Sequence, residues 1–230
     1  QNGQFDEAEK LALSFTERFP KHQLGWKVLG ALYGQSGKNS EATKVNQVSV
    51  ALSPQDAEAH NNLGTSLQEL GRLEEAEASY RQAIALNSDY AAAHYSLGVT
   101  LKELSRLDEA EASYRQAIAL QSDYAAAHYN LGNTLYDLGE LDKAEASYRQ
   151  VTVLQPGFAE AHYNLGNALK KQGDLKAAIT SYKQAIKLNP NYAESYNNLG
   201  NAFQSQGDLK AAINSFQQAI KLNPSYPEAY

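Results

Sequence analysis

The sequence contains no cysteine and no methionine, and only 6 of its 230 residues are proline. Without cysteine, disulfide bonds and thiolate metal sites are excluded, and the redox compartment stays undecided. There is no apolar run of about 18 residues and no charged leader followed by an apolar stretch, so we expect neither a membrane span nor a secretion signal. The compartment stays unknown from the sequence, with the cytoplasm favoured. Because residue 1 is not methionine, we also expect a piece of a longer protein.

An excess of positive charge is missing too. The net charge is −6, which gives no basic surface for nucleic acid and no polybasic patch for an anionic membrane. Motifs for catalysis are absent as well: we find no nucleophile–base pair, no phosphate-cradling glycine loop and no zinc-binding helix with histidine and glutamate. The sequence therefore predicts no enzyme activity and no cofactor, and a protein or peptide as the partner.

What the chain does have is the dipeptide Leu-Gly, repeated at a fixed step of 34 residues. The six copies are Leu29-Gly30, Leu63-Gly64, Leu97-Gly98, Leu131-Gly132, Leu165-Gly166 and Leu199-Gly200. Self-similarity at one fixed period indicates an array of a small structural unit, in which each copy packs only on its neighbours. Such arrays build open surfaces that hold partners.

Residues 57–90 show what each repeat contains. Apolar and small residues recur at the helical period over 57–70 and again over 73–86, and Gly71 separates the two stretches. We call the first helix of each repeat helix A and the second helix B. Gly64 lies on the packing face of helix A, where glycine costs about 1 kcal/mol relative to alanine, so its recurrence implies a close contact, with Tyr80 filling the space beside it. The pattern predicts an all-α fold of stacked antiparallel helix pairs, an α-solenoid.

The frames predict a single array over residues 1–230. Residues 1–22 form a half repeat, and residues 227–230 start a further one. The full repeats are 23–56, 57–90, 91–124, 125–158, 159–192 and 193–226.

These repeats resemble the tetratricopeptide (TPR) family, whose pattern is W-x2-L-G-x2-Y followed by A-x3-F, A and P. The residues of repeat 23–56 that match it are Trp26, Leu29, Gly30, Tyr33, Ala42 and Pro54. Histidine replaces the aromatic residue in four repeats, and Ser105 stands where other repeats have a turn glycine. The resemblance implies a right-handed superhelix with A helices lining a concave groove. Within the family, Ala-His-Tyr-Asn-Leu-Gly-Asn is similar to the superhelical repeats of O-linked N-acetylglucosamine transferases, whose asparagine ladder matches Asn62, Asn130, Asn164 and Asn198 here.

Helix A carries a second stripe of side chains that the pair-packing face does not use. Amide side chains there could hold the backbone of an extended peptide, and tyrosine rings add apolar area with a polar tip. The groove residues that we predict are Asn62, Tyr95, Tyr129, Asn130, Asn133, Tyr163, Asn164, Asn167, Asn197, Asn198 and Asn201. The alternative is a helix face that merely stays solvated. Tyr95, Tyr129 and Tyr163 stand where TPR domains that bind acidic tails have lysine, so a two-carboxylate clamp is incomplete.

Two other series of residues invite a functional interpretation and do not need one. His60, His94, His128 and His162 are a whole helix pair apart from one another, too far to share one metal ion, so we predict a packing role and no metal site. The tyrosines equivalent to Tyr80 form a core stripe.

Three functions are compatible with this sequence. The first is a non-catalytic scaffold that binds an extended peptide or partner segment in the groove. The second is a substrate-docking module of a larger, glycosyltransferase-like modifying enzyme, whose catalytic domain would lie elsewhere. The third is end-to-end self-association, because both ends of the array are incomplete and lack a polar capping helix.

Overall fold

The structure, a computed structural model, describes residues 2–224 and divides into two compact units, Gln1–Ser122 and Asp123–Tyr230. Throughout the described residues the regular structure is α-helical. The start of a further repeat at 227–230 lies outside the described residues. That one array extends over 1–230 stays a prediction.

The first unit contains a half repeat and three full helix pairs. Its helices are α1 (Asn2–Arg18), α2 (Gln23–Gln35), α3 (Asn39–Leu52), α4 (Ala57–Gln68), α5 (Leu73–Leu86), α6 (Ala91–Glu103) and α7 (Leu107–Leu120). Each A helix packs on the B helix that follows it, and α1, α3 and α5 also pack on the A helix that comes next.

The second unit contains three full helix pairs with the same connections. Its helices are α8 (Ala125–Asp137), α9 (Leu141–Leu154), α10 (Ala159–Gln172), α11 (Leu175–Leu188), α12 (Ala193–Gln206) and α13 (Leu209–Leu222). The predicted all-α stack of antiparallel helix pairs is confirmed in each unit. The bounds agree with the sequence prediction closely, since helix B was expected at 73–86 and α5 spans Leu73–Leu86.

The recurring glycine of helix A lies against the aromatic ring of its own helix B. A Cβ atom on Gly132 would be 2.7 Å from Cε1 of Tyr148, and the same contact recurs between Gly64 and Tyr80. The tyrosine rings are buried, with Tyr80 and Tyr148 exposed by at most 2%. The ring therefore occupies the space that any larger side chain would need, which explains why the chain uses glycine inside a helix.

The turns between helices A and B depend on one residue with a left-handed backbone. Gly71 has φ of 71°, a conformation that glycine adopts without steric cost. Ser105 occupies the equivalent place with φ of 60°, which is unfavourable for a residue with a Cβ atom.

One residue of the predicted packing face is placed differently. The periodic stretch over 57–70 places its last residue, Leu70, on the packing face of helix A, but α4 ends at Gln68 and Leu70 is 38% exposed. The reason is the turn: the Gly71 amide donates to the Gln68 carbonyl at 2.8 Å, and the Arg72 amide donates to the Leu67 carbonyl at 3.0 Å. These hydrogen bonds end helix α4 before Leu70, so Leu70 does not lie on the packing face of the helix.

Candidate functional site

Within each unit the A helices lie closer to one another than the B helices do. Helix α4 contacts both α2 and α6 in the first unit, and α10 contacts both α8 and α12 in the second. Among the described residues, no two B helices share a comparable contact. The A helices therefore bring their second stripes of side chains together into a surface, which we call the A-helix face.

All eleven predicted groove residues lie in A helices, and ten of them are half-buried. The exception is Asn197, which is only 4% exposed and therefore lies beneath the A-helix face. Its Oδ1 atom has no hydrogen-bond partner among the described residues.

In the second unit, the asparagines of the A-helix face connect one repeat to the next. The amide nitrogen of Asn164 donates to the Tyr129 hydroxyl at 3.0 Å and to Oδ1 of Asn133 at 3.1 Å. The same Oδ1 atom accepts a hydrogen bond of 2.8 Å from the hydroxyl of Tyr148 on α9. One asparagine pair thus joins helix A of one repeat, its own helix B and helix A of the next repeat.

The same arrangement recurs one repeat later. Asn198 donates to the Tyr163 hydroxyl at 3.0 Å and to Oδ1 of Asn167 at 2.9 Å, while Tyr182 donates to Asn167 at 2.8 Å. We call the two copies the amide–phenol network. Its recurrence at a 34-residue step shows that these side chains are held in fixed orientations.

Among the described residues of the first unit, no copy of the amide–phenol network is present. The hydroxyl of Tyr80 donates to Oε1 of Gln68 at 3.0 Å and lies 3.3 Å from the Thr65 hydroxyl, both on helix A of its own repeat. Asn62 contributes its backbone carbonyl, which accepts from the side chain of Asn46 at 3.0 Å. Tyr95 packs against Tyr114 with ring centroids 6.0 Å apart.

Aromatic residues that precede the A helices also contribute to the surface, and the sequence prediction missed them. The ring of Phe158 lies 4.9 Å from that of Tyr129, and the ring of Tyr192 lies 4.9 Å from that of Tyr163. Their signal in the sequence is an aromatic residue immediately before helix A. Burial raises the pKa of Tyr129 despite hydrogen bonds from Asn133 and Asn164, so its hydroxyl stays neutral at physiological pH.

Charged groups are concentrated on the B helices of the first unit. Glu77 on α5 accepts from Arg81 at 2.8 Å and from Arg106 at 2.6 Å, and Arg106 also pairs with Glu109 at 2.7 Å. Burial on its own would raise the pKa of Glu77, but the hydrogen bonds from the two arginines outweigh it and lower the pKa. This group links consecutive repeats through charge, on the side away from the A-helix face.

The histidines have a structural role at the start of helix A. Nε2 of His60 lies 3.0 Å from the Pro54 carbonyl, and Nε2 of His94 lies 3.0 Å from the Ser88 carbonyl. Because a carbonyl oxygen only accepts, Nε2 carries the proton in both rings. The indole of Trp26 donates to the Pro20 carbonyl at 3.0 Å in the same way. Within residues 2–224, no group of side chains is arranged to hold a metal ion.

The helices of the described region are also unsuited to crossing a bilayer, since none of them combines the necessary length with an apolar surface.

Family models match most of the chain. A TPR repeat model matches residues 66–105, 101–139, 132–173 and 166–207, and tetratricopeptide repeat models match residues 193–226 and 47–78. The first of these alone extends over more than half of the 230 residues. No curated protein matches the sequence.

Solved structures show the same fold at low sequence identity. YrrB, a TPR protein with an unusual peptide-binding site, has a TM-score of 0.74 and 23% identity, over 80% of this chain and 95% of its own. The structure reported for pilF of Pseudomonas aeruginosa has a TM-score of 0.74 and 21% identity, over 98% and 96%. The C-terminal part of a TPR repeat-containing protein from Cytophaga hutchinsonii has a TM-score of 0.77 and 17% identity, over 99% and 94%.

These matches confirm the predicted fold class, an all-α superhelical repeat, and proteins of this kind are generally non-catalytic interaction scaffolds. The chain belongs to the tetratricopeptide repeat family.

Proposed function

We propose that the chain is a non-catalytic scaffold that binds an extended peptide, or an extended segment of a protein partner, along its A-helix face. The observation that carries the proposal is the amide–phenol network of the second unit, which repeats the same polar groups at a 34-residue step. YrrB, with which the chain shares its fold, is described as having a peptide-binding site.

The hydrogen bonds inside the network determine which amide atoms are left to bind a peptide. Its internal hydrogen bonds use the NH2 groups of Asn164 and Asn198 and the carbonyl oxygens of Asn133 and Asn167. A peptide backbone would therefore donate to the carbonyl oxygens of Asn164 and Asn198 and accept from the NH2 groups of Asn133 and Asn167, although one N–H of Asn133 is also directed at the Tyr129 hydroxyl. Because these side chains are already ordered, binding costs little of their rotamer entropy.

The spacing of the A helices suits an extended chain. Packed helices lie roughly 8–10 Å apart, and an extended peptide advances about 3.3 Å per residue. Each repeat therefore meets about three peptide residues, and backbone recognition through amides places little demand on the peptide sequence.

The test replaces Asn130, Asn164 and Asn198 together by alanine. A binding peptide is first selected from a phage-displayed library of linear peptides against the parent protein, and its affinity is then measured by fluorescence anisotropy. We expect the triple variant to bind this peptide about tenfold more weakly or worse, because each lost hydrogen bond contributes roughly 0.5–1.5 kcal/mol.

The control is Asn214→Ala on α13, the same substitution at an exposed position of a B helix. Urea titration of every variant separates lost affinity from lost folding, since Asn164 and Asn198 also connect repeats. Equal affinities for the parent, the control and a folded triple variant would contradict the proposal.

The same face also suits the docking module of a larger modifying enzyme. Residues 127–133 and 161–167 both read Ala-His-Tyr-Asn-Leu-Gly-Asn, the wording that is similar to the repeats of O-linked N-acetylglucosamine transferases. Sequencing the gene downstream of Tyr230 distinguishes the two functions, because the docking function requires a glycosyltransferase-like domain in the same protein.

Self-association is favoured by apolar side chains on the outermost described helices. Leu11 on α1 is 66% exposed, and Leu209 and Ile213 on α13 are 61% and 56% exposed. Apolar faces of this kind favour stacking on another copy. Sedimentation velocity at several concentrations tests this, and a monomer at every concentration contradicts it.

A further inference from the structure

Repeat 23–56 contains an open cavity of about 380 Å³ between α2, α3 and α4. Its floor includes Gly30 on α2 and the buried residues Ala42 and Asn46 on α3. Exposed residues of α2 and α4 form its rim, so the cavity opens on the A-helix face of the first unit. The volume lies in the roughly 300–1,000 Å³ range of ligand pockets.

The other repeats show what normally fills this space. At the position of Asn46, the next four repeats carry a tyrosine and the last carries Phe216. In repeat 57–90, Tyr80 is fully buried, and its ring lies so close to Gly64 that a Cβ atom there would be 2.7 Å from Cε1. Repeat 23–56 keeps the glycine, Gly30, but has no ring to place against it.

Two further residues widen the opening instead of compensating for the missing ring. Where repeat 125–158 has Asn133 and Tyr136 on its A helix, repeat 23–56 has Ala31 and Gly34. A Cβ atom on Gly34 would meet nothing within 4 Å. Ala31, Gly34 and Asn46 therefore have smaller side chains than the equivalent residues of repeat 125–158, and all three border the same cavity.

Asn46 is held in place and does not swing into the cavity. Its amide nitrogen donates to the Asn62 carbonyl at 3.0 Å and to the Ser66 hydroxyl at 3.3 Å, and its Oδ1 lies against Gly30. The Asn46 amide therefore covers Gly30, and this planar amide forms a flat floor that suits a planar ring. The rim carries polar groups, Gln35, Thr65 and the carboxylate of Glu69, which suit a hydroxyl at the far end of that ring.

We propose that this cavity binds a phenol ring from outside the chain, in the outer part of the space that a tyrosine ring of the protein itself fills in four sibling repeats. The ring would pack on the Asn46 amide beside Ala31 and Gly34, and its hydroxyl would donate to Glu69 at the rim. The phenol is either the side chain of a tyrosine in a partner peptide or a free small phenol. This proposal goes beyond the peptide function argued above and does not depend on it, because the cavity belongs to the first unit and the amide–phenol network to the second.

The test uses 4-methylphenol, the side chain of tyrosine, as the probe. The isotope-labelled protein is titrated while its backbone amide signals are followed by NMR. We expect saturable shifts at Gly30, Ala42 and Ser66, with a dissociation constant on the order of 1 mM for so small a ligand. Absence of a saturable shift at these residues overturns the proposal.

Two variants fill the cavity with side chains that the chain already uses elsewhere. Asn46→Tyr restores the ring of the sibling repeats, and Gly34→Tyr introduces at the rim the residue found at Tyr136. We expect each to weaken 4-methylphenol binding about tenfold or more, with unchanged helicity. If Asn46→Tyr does not fold, Gly34→Tyr decides. Undiminished binding by a folded cavity-filling variant places the ligand elsewhere and overturns the proposal.

The source of the ring is determined by a second titration with the blocked peptide Gly-Gly-Tyr-Gly-Gly and its tyrosine-to-alanine counterpart. Displacement of 4-methylphenol by the tyrosine peptide alone supports a peptide partner, and displacement by neither supports a free phenol. Replacing Asn130, Asn164 and Asn198 should leave 4-methylphenol binding unchanged. A failure of the peptide function is therefore distinguishable from a failure of this site.

Discussion

In the first unit, charged side chains link consecutive repeats through the B helices, where Glu77 receives Arg106 from the next repeat at 2.6 Å, and through the A helices, where Lys27 pairs with Asp56 at 3.1 Å. In the second unit, the asparagine links are neutral and lie on the A helices, where Asn164 and Asn198 each reach back to the repeat before. Similar helix pairs are thus joined in two chemical ways. The difference teaches that the packing of glycine on an aromatic ring, which five of the six full repeats share, leaves the chemistry of the polar links free to vary.

The largest loss of stability should come from disrupting the glycine–tyrosine packing that occurs in both units. Gly132→Leu in the second unit and Gly98→Leu in the first both force a side chain into a tyrosine ring, since a Cβ atom at either position would be 2.7 Å from Cε1. We expect each to reduce the free energy of unfolding by on the order of 3 kcal/mol, which exceeds the roughly 1 kcal/mol gained from helix propensity. Urea denaturation followed by circular dichroism measures it.

The matched control is Gly34→Ala, a helical glycine whose added Cβ atom would meet nothing within 4 Å. We expect this variant to be slightly more stable than the parent, because alanine is the better helix former. If Gly132→Leu and Gly98→Leu differ strongly from each other, the two units do not share this packing constraint.

A smaller effect should come from cutting the neutral links of the second unit. Asn167→Ala removes the acceptor for both the Tyr182 hydroxyl and the Asn198 amide, which lie 2.8 and 2.9 Å from it. We expect a loss of about 1–3 kcal/mol, because two partly buried donors lose their partner. Since no charged group is involved, the loss in urea titrations should be the same at low and high salt.

Asn201→Ala is the matched control for this substitution. Asn201 occupies the same position in the last repeat, but helix B there carries Phe216, which has no hydroxyl in need of an acceptor. We expect Asn201→Ala to cost much less. An equal cost at both positions would mean that the network contributes nothing beyond ordinary helix packing.

The sequence allowed the repeat length, the helix pairs and the glycine–tyrosine contact to be predicted, because all three depend on periodicity and side-chain size. The sequence also shows two differences between repeats, one at the position of Asn167 and one at the position of Asn46. The position of Asn167 is Asn133 and Asn201 elsewhere in the second unit but Ala31, Thr65 and Val99 in the first. Asn46 stands alone among aromatic residues. What these differences build could not be predicted, because a 34-residue period does not say how far one repeat is rotated on the next.

Hydrogen-bond partners were the main omission for the same reason. Asn164 and Asn198 lie on the A-helix face as predicted, but their NH2 groups donate to neighbouring side chains, which depends on rotamers and on the stagger between repeats. The histidines were assigned to packing, and their hydrogen bonds to carbonyls in the preceding turn were not anticipated.

The smallest effect should come from cutting the charged link of the first unit. Glu77→Gln removes the carboxylate that pairs with Arg81 and Arg106. Both arginines are partly exposed and the pairs are screened by solvent, so we expect the melting temperature to fall by about 1–3 °C at pH 7 and low salt, and by less at high salt. Glu145→Gln is the control, since Glu145 pairs with Arg149 on its own helix.

The pH dependence gives the sharper test of this link. Burial alone would raise the pKa of Glu77, but the hydrogen bonds from Arg81 and Arg106 hold it below the ordinary value of 4.5. A lowered pKa in the folded state contributes stability above pH 4.5 that is lost as the pH falls through the folded pKa. The parent and Glu77→Gln should therefore differ in melting temperature at neutral pH and converge in strong acid, where the parent carboxyl is protonated. A constant difference across this range would show that the Glu77 carboxylate stabilises the first unit by packing and not by charge.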